Sequence, residues 1–334
     1  MTNEIRIGII GCSTIAKNST IPAILKSNNA KLEYIGSRSN NKALEFSKIF
    51  DCEKCGTYED VINDKTVDAV YISTPVGNHE EWVSKSAKAG KHILCEKSST
   101  TSFNSAKKMI SVIKENNVRL MEGFMYRFHP SHQKVKKFIN EKIIGEVFLF
   151  SSKYGFPSIS KDNIRYNKSL GGGILNDAGC YPINATRMLF ESEPKSVFCD
   201  LIIDKETQVD TKATLLMNFD GNKQSQSSVG YDLEYQSNYE LWASDGFLSL
   251  TRAYNIPPDM PARLSIKNSN KNEEILIEPV NHFQLMIEAF GSEIIKSNYK
   301  KFNFEEDLLN QAKVMEACRI SNDEKRYVEI KEIK

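Results

Sequence analysis

Two short stretches of this chain carry side chains that could handle a proton next to a hydride. Glu96-Lys97 closes one apolar run, and about 75 residues later Gly171-Gly172-Gly173 is followed by Asp177 and Tyr181. Hydride transfer to or from a carbon must be matched by proton transfer at its oxygen, so a positioned acid or base is required. A phenol is a poor base at neutral pH, with a reference pKa of about 10, but a nearby lysine ammonium favours its phenolate. Tyr181 is therefore read as proton donor in reduction or acceptor in oxidation, with Lys97 polarising the same oxygen. If the second stretch is helical, Asp177, Tyr181, Asn184 and Met188 fall at i, i+4, i+7 and i+11 and share one stripe. The three glycines would let backbone pass close to a substrate or cofactor. Plainer readings stand beside these: a core tyrosine, an aspartate at a helix start, a flexible glycine loop.

The elements that must hold these groups divide the chain. Ile5 to Ile10 reads as a buried parallel strand, followed by Gly11-Cys12-Ser13-Thr14-Ile15-Ala16 and a helix toward Leu25. Strands at Leu32 to Gly36, Asp68 to Ser73 and His92 to Cys95 alternate with helices at Asn41 to Phe50 and His79 to Ala89. That alternation predicts a doubly wound parallel α/β sheet over residues 1–122. Beyond a helix at Ser131 to Asn140, the alternating runs Glu146 to Tyr154, Val197 to Ile203, Thr211 to Phe219, Ser237 to Ala243 and Arg263 to Ile266 predict an α+β domain over 123–334. Its sheet should be large, open and mostly antiparallel. Helices at His282 to Ile295 and Phe304 to Ile320 finish the chain, the last expected to return to the first domain.

The turn after the first strand is where small residues would let backbone N–H groups meet a pyrophosphate, with a helix N-terminus behind them. Here it reads Gly11-x-Ser13-x-x-Ala16, and the serine at the middle position is expected to crowd the phosphates slightly. Gly11, Cys12, Ser13, Thr14 and Ile15 are the residues assigned to that contact. At the end of the second strand NAD enzymes place a carboxylate on the ribose hydroxyls, whereas a 2′-phosphate needs cations and donors. This chain offers Ser37, Arg38 and, one helical turn on, Lys42, which favours NADP and leaves NAD open. Ser73, Thr74, Pro75 and Asn78 form a stiff loop at the C-terminal edge of the sheet, where a nicotinamide would lie. His79 either joins that wall or simply begins the next helix.

Composition narrows the partners. The 334 residues carry 44 Lys plus Arg against 43 Asp plus Glu, a formal charge of +1, so no strong field points to nucleic acid or an anionic membrane. Neither a basic leader after Met1-Thr2-Asn3-Glu4 nor a run of about 18 apolar residues is present, so a cytoplasmic protein without membrane partners is expected. Seven scattered cysteines suggest free thiols. Cys52 and Cys55 make a lone CxxC on a stretch read as a solvated loop, and His129 with His132 has no further ligands, so no metal is expected.

Taken together, Gly11-x-x-x-x-Ala16, Thr74-Pro75 with His79, Gly90-Lys91-His92-Ile93-Leu94-Cys95-Glu96-Lys97, Glu122 to Pro130 and Gly171-Gly172-Gly173-x-Leu175-x-Asp177-x-Gly179 resemble the glucose-fructose oxidoreductase and inositol dehydrogenase family. The resemblance covers nearly the whole chain in order. It implies a Rossmann domain that binds the dinucleotide, with Glu96 and Lys97 beside the cofactor and Lys97 as catalytic lysine. It also implies that Asp177 helps hold substrate, that Arg127 sits near the cofactor, and that the open sheet assembles a homodimer or homotetramer. Ser98 stands where the family has proline, which could loosen the lysine loop. Tyr181 stands where many members have histidine and matches the branch of dihydrodiol dehydrogenases, xylose dehydrogenases and sugar 3-ketoreductases. The function implied is NADP-dependent oxidation of an aldose at C1 or reduction of a keto-sugar, nucleotide-linked or free. Apart from the resemblance, Tyr154, Arg165 and Tyr166 precede the glycines and are read as contacts to hydroxyls or a phosphate, with packing or surface as the plain alternative, and Asn184 joins them from the stripe of Asp177 and Tyr181. The alternatives are a dihydrodiol-type dehydrogenase and a dinucleotide-binding sensor without turnover.

Overall fold

The computed structural model describes residues 4–296 and 301–334, so the Met1 to Asn3 start discussed above lies outside it. The chain divides into two compact units, 1–125 with 282–309, and 126–281 with 310–334.

The first unit is built on a six-stranded parallel sheet. Its elements run β1 (Ile5–Ile10), α1 (Ile21–Lys26), β2 (Ala30–Gly36), α2 (Asn40–Phe50), β3 (Cys55–Gly56), α3 (Tyr58–Asn63), β4 (Ala69–Ile72), α4 (His79–Lys88), β5 (His92–Cys95), α5 (Phe103–Glu115) and β6 (Leu120–Glu122). The strand order is β3-β2-β1-β4-β5-β6, which puts the switch in winding direction between β1 and β4. The central strands β1, β4 and β5 are buried on both faces and therefore read as apolar runs, β4 being buried at every residue, whereas β2 exposes Lys31 and leaves Leu32, Glu33 and Tyr34 half-buried. Helix α3 can lie close because Gly8 and Gly36 have no side chains: a Cβ on either would fall 2.4 or 2.6 Å from Val61. The short β3, α3 and β6 are too brief to be named from the sequence, whereas α5 is absent from the sequence reading although Phe103, Ala106, Met109, Ile110 and Ile113 recur at helical spacing on its buried face. Cys52 is buried and Cys55 opens β3, so the CxxC stretch is not the solvated loop expected, although all seven cysteines are free.

The second unit contains α6 (Pro130–Asn140), β7 (Val147–Gly155), α7 (Cys180–Phe190), β8 (Ser196–Ile203), β9 (Asp210–Asn218), β10 (Gln224–Gly230), β11 (Gln236–Ala243), β12 (Gly246–Leu250), β13 (Ala262–Asn268) and β14 (Asn272–Ile277). After these come α8 (His282–Ile295), α9 (Phe304–Glu324) and β15 (Val328–Glu329). Its nine-stranded sheet runs β14-β13-β12-β11-β7-β10-β9-β8-β15, antiparallel except where β10 lies parallel to β7. Strand β7 shows the two faces: Phe150, Ser152 and Tyr154 are buried, while Lys153 between them is exposed. One face thus holds the core and the other is left open.

The late helices divide between the units. Helix α8 groups with the parallel sheet: Asn29 donates to the Glu288 carbonyl and Ser292 Oγ at 2.8 and 3.1 Å, and a Cβ on Gly291 would meet Asn29. So does the start of α9, where Glu305 accepts Arg119 Nε at 2.8 Å. From Asn310 onward α9 belongs to the second unit, where Ser321 Oγ accepts the Cys199 amide at 2.9 Å.

Candidate active site

In the first unit the candidate residues gather at the C-terminal ends of β1, β2, β4 and β5. Gly11 takes φ +109°, and a Cβ there would stand 3.1 Å from the Ser73 carbonyl carbon, so the turn accepts glycine only. Ser13 is tied into the turn. Its hydroxyl donates to Ser73 Oγ at 2.9 Å and accepts the Ala16 amide at 3.1 Å, while Ser73 Oγ donates to the Gly11 carbonyl at 2.8 Å. The helix behind begins as a π-helical turn, Ala16–Thr20, before becoming α1. Cys12 is buried with its thiol pushed up to about 11 by burial, so it stays neutral; Thr14 is exposed and Ile15 half-buried. The cradle without a Cβ, the knitted serines and the helix behind them fit a dinucleotide pyrophosphate.

At the end of β2, Ser37 is buried and its Oγ accepts the Ser39 amide at 3.2 Å, while Ser39 caps α2 by accepting the Lys42 amide. Arg38 and Lys42 are exposed there. Tyr58 faces Arg38, although burial is the larger influence and raises its pKa. The set contains no carboxylate and fits a 2′-phosphate.

Beyond β4, Thr74 is buried, whereas Pro75 and Asn78 are partly exposed on the following turn. His79 is not turned outward to a ligand: it is 1% exposed, with Nδ1 3.1 Å from the Ser98 carbonyl and Nε2 2.7 Å from the Thr74 carbonyl. Burial lowers its pKa. Glu96 accepts a hydrogen bond from the Tyr71 hydroxyl at 2.6 Å, and Tyr71 accepts one from Thr20 at 3.0 Å. Burial raises the Glu96 pKa, with Tyr71 and Lys97 pulling against it. The Lys97-Ser98 peptide is cis, and Ser98 is buried. Ser99 donates its amide to Glu122 at 2.7 Å.

In the second unit Tyr181 stands in a cage of rings. Its centroid lies 5.2 Å from Tyr154, 5.4 Å from Tyr254 and 5.7 Å from Tyr126. Such pairs contribute about 0.5–1.5 kcal/mol each beyond area burial. Tyr154, expected to meet substrate, is 5% exposed and forms a wall of this cage. The segment before Tyr181 is a π-helical turn, Leu175–Gly179, and becomes α-helical only at Cys180. The single stripe expected from α-helical spacing therefore fails at that junction. Asp177 pairs with Arg165 Nε at 2.6 Å and receives the Tyr231 hydroxyl at 3.4 Å, while Asn184 is fully buried. Asn184 accepts from Tyr126 at 2.7 Å and donates to Gln311 at 3.3 Å, so its amide is used inside the core. Tyr166 is buried against Tyr231, with centroids 5.4 Å apart. Arg165 remains exposed, its charge favoured first by Asp177. Arg127 lies half-buried in the 3-10 turn Met125–Phe128.

Several residues that place this segment were not found from the sequence. Asp210, at the start of β9, accepts the Leu175 amide at 2.6 Å, and a Cβ on Gly173 would fall 2.1 Å from its Oδ1. Gln311 donates to the Cys180 carbonyl at 2.9 Å, one residue before Tyr181. Neither leaves a local signal, because each acts from more than 30 residues away. Tyr71 did leave one: a tyrosine inside the buried strand Ala-Val-Tyr-Ile requires a hydroxyl partner.

Comparison with known proteins agrees with this geometry. Residues 5–124 match the model of an oxidoreductase family with an NAD-binding Rossmann fold, and residues 132–249 match the Gfo/Idh/MocA C-terminal domain. The chain belongs to the Gfo/Idh/MocA oxidoreductase family. Among its relatives in that family is a dTDP-3,4-didehydro-2,6-dideoxy-α-D-glucose 3-reductase of Actinomadura kijaniata, 30% identical over 95% of each chain. Another is an NADP-dependent D-xylose 1-dehydrogenase of Haloferax volcanii, 29% identical over 90% of this chain and 92% of that one. A crystal structure of a 3-ketoreductase from Actinomadura kijaniata with NADP and TDP-benzene superimposes with a TM-score of 0.91, at 30% identity over 96% of this chain and 98% of that one. No described helix of this family member is long and apolar enough to cross a membrane, and no described cluster of three or more His, Cys, Asp or Glu could hold a metal.

Proposed function

We propose that this chain is an NADP(H)-dependent oxidoreductase that moves a hydride between the nicotinamide and a sugar carbon, most readily in the reduction of a nucleotide-linked keto-sugar. The observation that carries the reading is the near full-length likeness to a sugar 3-reductase, in a chain that keeps Lys97, Asp177 and Tyr181. The bound nicotinamide supplies or accepts the hydride. Gly11 to Ile15 hold the pyrophosphate, Ser37, Arg38 and Lys42 the 2′-phosphate, and Thr74, Pro75, Asn78, Glu96 and Arg127 the nicotinamide end. Tyr181 gives its phenolic proton to the carbonyl oxygen of the substrate in reduction and takes it back in oxidation. Lys97 stabilises the negative charge that develops on that oxygen and favours the phenolate of Tyr181. Asp177, oriented by Arg165 and Tyr231, accepts hydrogen bonds from a sugar hydroxyl, and its cage neighbours keep Tyr181 from rotating.

The test follows absorbance at 340 nm with NADPH or NADP and a panel of nucleotide-linked keto-sugars and free aldoses. Turnover that prefers NADP(H) and is lost in Lys97→Ala and Tyr181→Phe is the expected result. Cofactor binding with no turnover on the whole panel would instead favour a dinucleotide-binding sensor.

We further propose that the open sheet face joins copies of the chain into a homodimer or homotetramer in the cytoplasm. That face exposes Trp242 at 60% and Leu276 at 57%, with Phe148 edge-on to Trp242 at 6.4 Å. Free thiols at all seven cysteines accord with a reducing compartment. Light scattering should give a multiple of the 37.9 kDa chain mass, and Trp242→Glu should lower it.

A further inference from the structure

Lys97 sits between two residues that are each gripped by a buried side chain with no assigned part in the reaction. On its N-terminal side, the Glu96 carboxylate receives the Tyr71 hydroxyl at 2.6 Å, and Thr20 orients that hydroxyl by donating to it at 3.0 Å. Tyr71 and Thr20 are both fully buried. On its C-terminal side, His79 lies with Nδ1 3.1 Å from the Ser98 carbonyl and Nε2 2.7 Å from the Thr74 carbonyl, and the single N–H of its neutral ring, the form that burial favours, donates to one of the two. Gly123 makes room for this arrangement, since a Cβ there would lie 3.2 Å from the Cys95 carbonyl oxygen and 3.6 Å from Glu96 Oε1.

We propose that Tyr71, with Thr20 behind it, and His79 are positioning residues that fix Lys97 from both flanks. The inference rests on the functional reading above, in which Lys97 polarises the reacting oxygen. The physical reason is that a lysine has four freely rotating side-chain bonds, so its ammonium can be aimed only if the backbone that carries it is immobile. Regular secondary structure ends at Cys95 and resumes at Phe103, and between them the Glu96 amide still donates to the Ile72 carbonyl at 2.9 Å. Strand β4 and the turn after it add to that restraint through Tyr71 and the Thr74 carbonyl. The Tyr71 hydroxyl also helps keep Glu96 ionised beside Lys97, because a hydrogen bond donated to a carboxylate favours its charged form.

The experiment uses Tyr71→Phe, which removes one oxygen, His79→Gln, and Thr20→Val as the mildest change should either of the others fold poorly. Two readouts are taken. The first is the labelling rate of Lys97 by an amine-reactive reagent in cofactor-free protein, followed by peptide mass spectrometry. Lys97 should label several-fold faster in Tyr71→Phe and His79→Gln, with lysines on α5 and α6 unchanged. The second is steady-state kinetics in wild-type and Lys97→Ala backgrounds. Each variant should lower kcat by about tenfold with KM nearly constant, and that loss should vanish once Lys97 is alanine, since coupled residues fail to add. An unchanged labelling rate, or a kcat loss that persists without Lys97, overturns the positioning role. Full turnover by Lys97→Ala alone overturns the functional reading instead, so the two failures are distinct.

Discussion

The surroundings of Lys97 and of Tyr181 are built by different means. Around Lys97 the candidate groups project from turns that follow parallel strands, so main-chain geometry places them: Gly11 after β1, Ser37 after β2, Ser73 and Thr74 after β4. Around Tyr181 side chains brought from distant elements do the holding: three tyrosine rings against its own, the Asp210 carboxylate of β9 accepting the Leu175 amide and the Gln311 amide of α9 donating to the Cys180 carbonyl. A site of the first kind suits a cofactor with a constant backbone-facing phosphate. A site of the second kind can change its substrate by changing individual side chains while the sheet behind it remains.

The sharpest probe of this contrast is Tyr181→Phe. Three neighbouring rings still pack against the phenyl, so kcat should fall by roughly 10²–10⁴-fold, the usual worth of a general acid or base, while Tm stays within a few degrees. A collapse in Tm with it would mean that the hydroxyl is a structural group. Next in size is a pair of glycine changes. Gly173→Ala, at φ +116° and against Asp210 Oδ1, should cost about 2–4 kcal/mol in urea unfolding yet leave NADPH affinity intact. Gly11→Ala, at φ +109° and against Ser73, should weaken NADPH binding by at least about tenfold in a fluorescence titration. Equal effects of both changes on NADPH would erase the distinction between the two regions.

Smaller effects refine it. Tyr126→Phe leaves the buried Asn184 oxygen without its donor and should cost about 1–2 kcal/mol by denaturant midpoint, with kcat little changed. The smallest is a pH effect at His129, which caps α6 by accepting the Ser131 amide on Nδ1 at 3.1 Å and so must be unprotonated there. Burial holds its pKa down to about 4, against an ordinary value near 6.5. The folded state therefore binds the proton less well than the unfolded one. The stabilisation is complete above the unfolded value and is lost as pH falls from there toward 4, by less than about 1 kcal/mol between pH 7 and 6. His129→Asn keeps an acceptor at the cap and should flatten that part of the stability profile.

The legibility of each region followed from the range of the forces that build it. The turn at Gly11, the paired Ser37 and Arg38 and the Glu96-Lys97 strand end each reveal themselves within about a dozen residues, since a buried strand and the turn after it are adjacent in the chain. By the same logic β3 and α3 were missed, being only two and six residues long. The helical stripe through Asp177, Tyr181 and Asn184 failed for a local reason with a distant cause. The π-helical turn at Leu175–Gly179 lies where Asp210 takes the Leu175 amide and Gln311 the Cys180 carbonyl, and no periodicity in residues 171–190 announces either partner.

By itself the sequence determined a parallel sheet with a glycine turn at its first strand end, cation-and-donor chemistry rather than a carboxylate at the second, an antiparallel second domain, and a lysine and tyrosine suited to moving a proton beside a hydride. Those properties depend on residue type and short spacing. Tertiary structure alone decided that the Asn184 amide pairs with Tyr126 and Gln311, that Tyr154 walls the cage around Tyr181 and Tyr166 packs on Tyr231, that His79 is buried between two carbonyls, and that Tyr71, Asp210 and Gln311 hold the groups flanking Lys97 and Tyr181. Those depend on which buried polar atoms meet, and a buried polar atom must find its partner wherever the fold brings one within about 3 Å, however distant in the chain.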